Sequence, residues 1–137
     1  MKVSLKTEYA CRVLAQLARR YDRKELAHIE SLAQAEDIPA NYLVQILNDL
    51  RNSGLILSRR GKQGGYQLAR DPSALSLLDI LNAMEGELLA ATPKPSGQSG
   101  EKVGASWKEM AAAMEEKARS IRLVDMVPEE ADEMYYI

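Results

Sequence analysis

The chain has 137 residues, of which 28% are charged, with a formal net charge of −2 and a sequence pI near 5.5. That length sets one domain, or one domain with an oligomerisation extension, and no apolar run of about 18 residues is present to form a transmembrane helix. With one cysteine and one histidine, an internal disulfide framework and an all-Cys/His structural zinc site from one chain are both excluded.

The first segment, MKVSLKTEYACRVLAQLARR, has a superficial likeness to a signal peptide. Glu8, Arg12 and Arg19 interrupt its apolar stretch and no small-residue cleavage site follows, so a cytoplasmic chain is expected. Thr7 to Tyr21 instead carries Ala10, Val13, Leu14, Leu17 and Ala18 on one face, which predicts a long amphipathic helix. Cys11 flanks that face and is read as a buried, inert thiol. Ile29, Leu32 and Ala33 predict a second helix over His28 to Ala35, and Glu36-Asp37-Ile38 a tight turn after it. His28, just before that helix, is read as a capping or solvent-facing residue; alone it makes no metal site.

Ile38 to Arg70 is the most informative stretch. Pro39 suits a first helical turn, where its missing N–H is not needed. Leu43, Ile46, Leu47 and Leu50 follow the spacing of a buried helical stripe, and Gly54 ends it. Leu55-Ile56-Leu57 reads as a strand. Arg59, Arg60 and Lys62 enter a tip containing Gly61, Gln63, Gly64 and Gly65, and Tyr66-Gln67-Leu68 returns as the partner strand. The fold class is therefore mainly α, a winged helix-turn-helix with a two-stranded β wing. Such a unit places one helix in the DNA major groove and a basic loop on the flanking backbone.

Asp71-Pro72 closes the wing, and Ser76 is placed as the N-cap of a helix carrying Leu77, Leu78, Ile80, Leu81 and Met84, with Gly86 as its stop. The winged domain is set at residues 1–86. A flexible loop, residues 87–105, follows, rich in Pro, Gly and Ser and without hydrophobic period. Ser106 is then read as the cap of a long dimerisation helix, residues 106–127. Its seam of Trp107, Ala111, Met114, Ala118 and Ile121 steps by 4, 3, 4 and 3 residues and fits either a second subunit or the chain's own domain. Residues 128–137 form an acidic tail.

Charge supports the DNA reading more than the pI suggests. Residues 1–70 hold 12 Lys/Arg against 7 Asp/Glu, whereas residues 71–137 hold 6 against 13. Segregation of charge is the footprint of a small DNA binder. Ser58 to Arg70 holds four basic residues and no acid, although a solvated surface hairpin would look the same on charge alone.

Several pieces in this order and spacing resemble the IscR/NsrR/CymR (Rrf-two) family of bacterial winged-helix regulators. They are Lys6-Thr7-Glu8-Tyr9-Ala10, Tyr42 to Leu47, Leu50 to Ile56, Arg60 to Tyr66, Leu78 to Leu81 and Met84-Glu85-Gly86. The resemblance implies a homodimer with crossed long helices that binds an inverted repeat in double-stranded DNA and blocks or modulates transcription. Cluster-binding members carry three cysteines in the loop before the long helix; residues Glu87 to Ala105 contain none. No cofactor is therefore expected, since Ser and Thr do not replace thiolate as cluster ligands.

Matched to the family's recognition helix, Pro39, Ala40, Asn41, Val44 and Gln45 lie at its N-terminal, outward side. Asn41 and Gln45 suit base edges, because amides pair bidentately with adenine, and Val44 suits a thymine methyl. Tyr42 is either a phosphate contact or core. Arg59, Arg60 and Lys62, with Gly61, Gln63 and Gly64, are expected on the phosphates or in the minor groove. The competing class is a winged-helix docking module for another protein. An enzyme is not expected, because no Ser/His/Asp, Cys/His or metal-ligand set exists in one chain.

Overall fold

The computed structural model describes residues 3–86 and 94–128. The element order is α1 Leu5–Arg19, α2 Ile29–Glu36, α3 Ala40–Asn52, β1 Ile56–Arg59, β2 Gly65–Leu68, α4 Leu77–Met84 and α5 Gly100–Ser120. Short 3-10 turns lie at Pro72–Ala74 and Leu123–Met126. No helix among the described residues is long and apolar enough to cross a membrane.

Helix α1 begins at its Ser4 cap, whose hydroxyl accepts from the Thr7 N–H at 3.2 Å. It packs against α2, α3, α4, β2 and the second 3-10 turn, so Ala10, Val13, Leu14 and Leu17 are fully buried. Helix α2 ends at Asp37, which is left-handed (φ 53°), a conformation Asp tolerates better than most residues. That bend returns Ile38 to the core and starts α3 at an angle to α2. Leu43, Ile46, Leu47 and Leu50 then fill the centre of the domain. Each contributes on the order of 2 kcal/mol by burial, enough to fix the rotation of α3 about its axis.

Strands β1 and β2 pair antiparallel, with Ile56 opposite Leu68 and Arg59 opposite Gly65. Ala27 adds an isolated bridge to Tyr66 through two 2.9 Å hydrogen bonds, so the wing is stitched to the loop before α2. Ser76 caps α4 as expected and forms a full capping box with Asp79. Helix α4 lies between α1, α3 and α5, which accounts for its apolar residues on most sides. Its end is tied to α1: Glu85 Oε1 accepts from the Thr7 hydroxyl at 2.7 Å and from the Ser4 N–H at 3.1 Å.

The second half departs from expectation in two places. The long helix begins at Gly100 after an N-cap at Ser99, not at Ser106, so Gly100 to Ala105 are helical and not loop. Gly100 and Gly104 each cost a helix about 1 kcal/mol relative to Ala, which is why composition pointed to a loop there. The helix also stops at Ser120, not 127. Ile121 is extended; its carbonyl accepts from the Leu77 N–H at 2.7 Å, and Leu123 N–H donates to the Leu75 carbonyl at 2.8 Å. Leu123 is fully buried in the main core. The chain thus returns from α5 into the winged domain, and burial of Leu123 overrides helix continuation.

These bounds redistribute the proposed seam. Ala118 is buried against Leu77, Leu78 and Leu81 of its own chain, which removes it from contact with a second subunit. Ile121 has left the helix, and Ala111, Met114 and Ile121 are half-buried. Val103, Trp107 and Met110 are the exposed large apolar residues of α5. The first part of the 87–105 loop and nearly all of the acidic tail lie outside the described residues.

Candidate nucleic-acid interface

Burial of one stripe of α3 leaves the opposite face outward by geometry. Ala40, Asn41, Tyr42, Val44 and Gln45 are all exposed, together with Pro39 at the N-cap. Val44 is a β-branched apolar residue left 50% exposed. The N-terminus of α3 has no side-chain cap and no acid in its first turn. Its free N–H groups and positive dipole end are therefore open to an anion such as a phosphate.

Tyr42 is not core. It is 54% exposed and its ring stands edge-on to Tyr9 of α1, with centroids 6.4 Å apart. The Arg12 guanidinium lies 5.4 Å from the Tyr9 ring centre and also donates to the Glu36 carbonyl at 3.3 Å. Arg12 and Tyr9 of α1 thus brace the start of α3 and its approach from α2. Deeper in the same seam, the buried Gln16 amide donates to Glu36 Oε2 and accepts from Arg20.

The wing carries the other expected residues. Arg59, Arg60, Gly61, Lys62 and Gln63 are exposed; Gly64 is not. Gly64 N–H donates to the Gly61 carbonyl at 2.9 Å, closing a tight turn. A Cβ on Gly64 would stand 2.1 Å from the Arg59 carbonyl oxygen, so no side chain fits and the cations are presented on a defined loop. The role of Gly64 is thus to shape the tip, since it is too covered to be a broad contact surface.

Arg51 is a member of the basic group that sequence reasoning missed. It lies in the last turn of α3, hydrogen-bonded to Asn48 Oδ1 at 3.3 Å. With Arg59, Arg60, Gly61 and His28 it lines a shallow cleft of about 290 Å³ between the wing and the start of α2. In sequence it reads as a cation complementing a helix C-terminus; only the return of the hairpin shows what it stands beside. His28 occupies the N-cap of α2 but its side chain makes no capping hydrogen bond.

Cys11 is only partly exposed, and burial, helped by the Glu8 carboxylate, pushes its thiol up to about 11. It is a poor nucleophile and a poor metal ligand at neutral pH. Among the described residues no three of His, Cys, Asp or Glu come together to hold a metal ion.

A family model described as Rrf2, iron-dependent transcriptional regulator, matches residues 3–129. Over 88 residues the chain is 35% identical to the helix-turn-helix (HTH) type transcriptional regulator CymR of Bacillus subtilis, an alignment taking in 64% of this chain and 63% of CymR. It is 36% identical over 101 residues to the HTH-type regulator IscR of Cereibacter sphaeroides, covering 73% of this chain and 64% of that one. HTH-type transcriptional regulators of two Mycobacterium tuberculosis strains are 41% identical to this chain over 88 residues, an alignment taking in 64% of this chain and 54% of theirs. The chain thus spans about half the length of the first curated relatives it matches. Among solved structures, CymR, the global cysteine regulator of B. subtilis, superposes with a TM-score of 0.79 at 28% identity, over 92% of this chain and 95% of that one. IscR of T. potens gives a TM-score of 0.74 at 32% identity, over 92% and 85%.

Proposed function

The chain belongs to the Rrf2 family of transcriptional regulators, and on that premise we propose that it binds double-stranded DNA as a homodimer and represses transcription from a pseudo-palindromic operator. The observation that carries this reading is the uncovered face of α3, Asn41, Tyr42, Val44 and Gln45, on the same domain as a basic, glycine-shaped wing. Asn41 and Gln45 supply donor–acceptor pairs for base edges, and Val44 supplies an apolar contact for a thymine methyl. Tyr42 and the open N-terminus of α3 face phosphate oxygens. Arg59, Arg60 and Lys62 neutralise backbone charge and add affinity that is independent of sequence.

Dimerisation is supported by the exposed stripe of Val103, Trp107 and Met110, with half-buried Ala111 and Met114 beside it. Pairing two such helices across a two-fold axis would remove that apolar surface from water and set two copies of α3 against two half-sites. A cluster does not fit the residues present. One thiol in the whole chain, held protonated inside α1, cannot replace the several thiolates such a group requires. We therefore place this chain among members that respond to another signal.

The test is DNA binding across salt concentrations on selected and scrambled duplexes. Gln45→Ala should cost about 1–3 kcal/mol at one base position per half-site. Arg60→Ala or Lys62→Ala should weaken all sequences alike and reduce the salt slope by about one. A wild-type protein with neither sequence preference nor salt dependence would instead be a docking module.

A further inference from the structure

Helix α3 carries one carboxylate, Asp49, one turn beyond Gln45. An acid on a DNA-facing helix is repelled by phosphate, so its presence calls for a reason. Its two oxygens are separately engaged. Oδ1 accepts from Gln45 Nε2 at 3.2 Å, and Oδ2 stands 2.5 Å from the Lys6 ammonium of α1. Oδ2 is buried and has no hydrogen-bond partner among the described residues, so the lysine charge is what meets it. The Asp49 side chain is 25% exposed, more covered than Lys6 at 44%.

We propose that Asp49 is a positioning residue that sets the base preference of Gln45, with Lys6 neutralising it. This rests on the reading of α3 as the recognition helix. The argument is one of donors and acceptors. A carboxylate paired with a lysine can only accept, so the Gln45 amide must turn its nitrogen, never its oxygen, towards Asp49. One N–H is thereby consumed. What remains is one N–H and the Oε1 acceptor, the pair that matches the N7 acceptor and N6 donor of adenine. Guanine offers two acceptors, O6 and N7, along the same edge, and an amide with a single remaining N–H cannot satisfy both. A Gln45 freed from Asp49 recovers its second N–H and its freedom to flip, and discrimination between the two purines falls. Lys6 keeps the carboxylate from repelling the backbone, at the cost of a cation that would otherwise be free for phosphate.

The experiment uses the full chain and an operator selected from random duplexes, then varied from adenine to guanine at the position sensitive to Gln45→Ala. Asp49→Ala should reduce the adenine-over-guanine preference by about tenfold, while binding to scrambled duplex is unchanged or tighter because a negative charge has gone. Asp49→Asn, which keeps the shape of the side chain, should act in the same direction, since an amide can donate as well as accept and no longer dictates how Gln45 turns. In a Gln45→Ala background, Asp49→Ala should leave base preference unaltered. A purely structural role predicts a different pattern, with equal weakening on every duplex in both backgrounds, and that result overturns the proposal. So does full purine discrimination in both Asp49 variants when Gln45→Ala has lost it; the DNA reading would then stand without this refinement. A wild-type protein with no base preference at all would remove both.

Discussion

Replacing Gly64 by alanine tests whether the wing acts as a shaped loop or merely as a carrier of charge. An added Cβ would sit 2.1 Å from the Arg59 carbonyl oxygen and 2.8 Å from the Arg60 carbonyl carbon. Both obstacles are backbone, so no rotamer change relieves them; the strand end must retreat by about 1 Å in a region that pairs Arg59 with Gly65. Overpacking of this kind costs about 1–3 kcal/mol if the hairpin holds its register. For a chain of this size that is a fall in Tm of roughly 4–12 °C. If the tip opens instead, stability is spared, but Arg60 and Lys62 lose their fixed positions and DNA affinity drops. Gly61→Ala is the control, because its Cβ would meet nothing within 4 Å and only the backbone angle, φ +102°, is strained. The assay is thermal unfolding together with DNA affinity for both variants. Wild-type Tm and wild-type affinity in Gly64→Ala would refute the steric argument, whereas any loss in Gly61→Ala reports its positive φ and not a clash.

Trp107→Glu and Met110→Glu should yield folded monomers by sedimentation, because a buried unpaired charge at a subunit contact is costly. Ala118→Glu should instead lower thermal stability whatever the association state, since Ala118 packs on α4 of its own chain. Hydrogen bonds from Ser4 and Thr7 hold the Glu85 carboxyl below the ordinary value of 4.5. A depressed carboxylate stabilises above its unfolded value and loses that contribution as pH falls through the folded one. Stability should therefore decline below about pH 4.5, and Glu85→Gln should flatten that acid limb of a Tm-versus-pH curve. Cys11, with its thiol pushed up to about 11, should alkylate slowly at pH 7.5 in the native protein and rapidly once the chain is unfolded; rapid native labelling would contradict its placement.

The periodic features of the sequence determined most of the winged domain. The stripe of Leu43, Ile46, Leu47 and Leu50 specifies both that α3 is a helix and which face it turns outward, because burial of one face leaves the other as remainder. Ser76 with Asp79 announces the start of α4 through local capping chemistry alone. The glycines of the wing announce a turn for the same reason, although only the folded hairpin distinguishes Gly64, which excludes a side chain, from Gly61, which does not. What the tertiary structure decided were contacts between segments distant along the chain. The end of α5 carries no glycine or proline stop, and it ends because Leu123 has a place in a core assembled from α1 and the segment before α4. Ala118 and Trp107 look equivalent in a heptad pattern, yet α4 covers the first and leaves the second exposed. Asp49 reads locally as one more solvated helical acid; only α1, folding across α3, brings Lys6 to it from 43 positions earlier. Periodicity and capping are properties of a few neighbouring residues and can be read in order, whereas a residue's final partner depends on which surfaces the whole chain brings together.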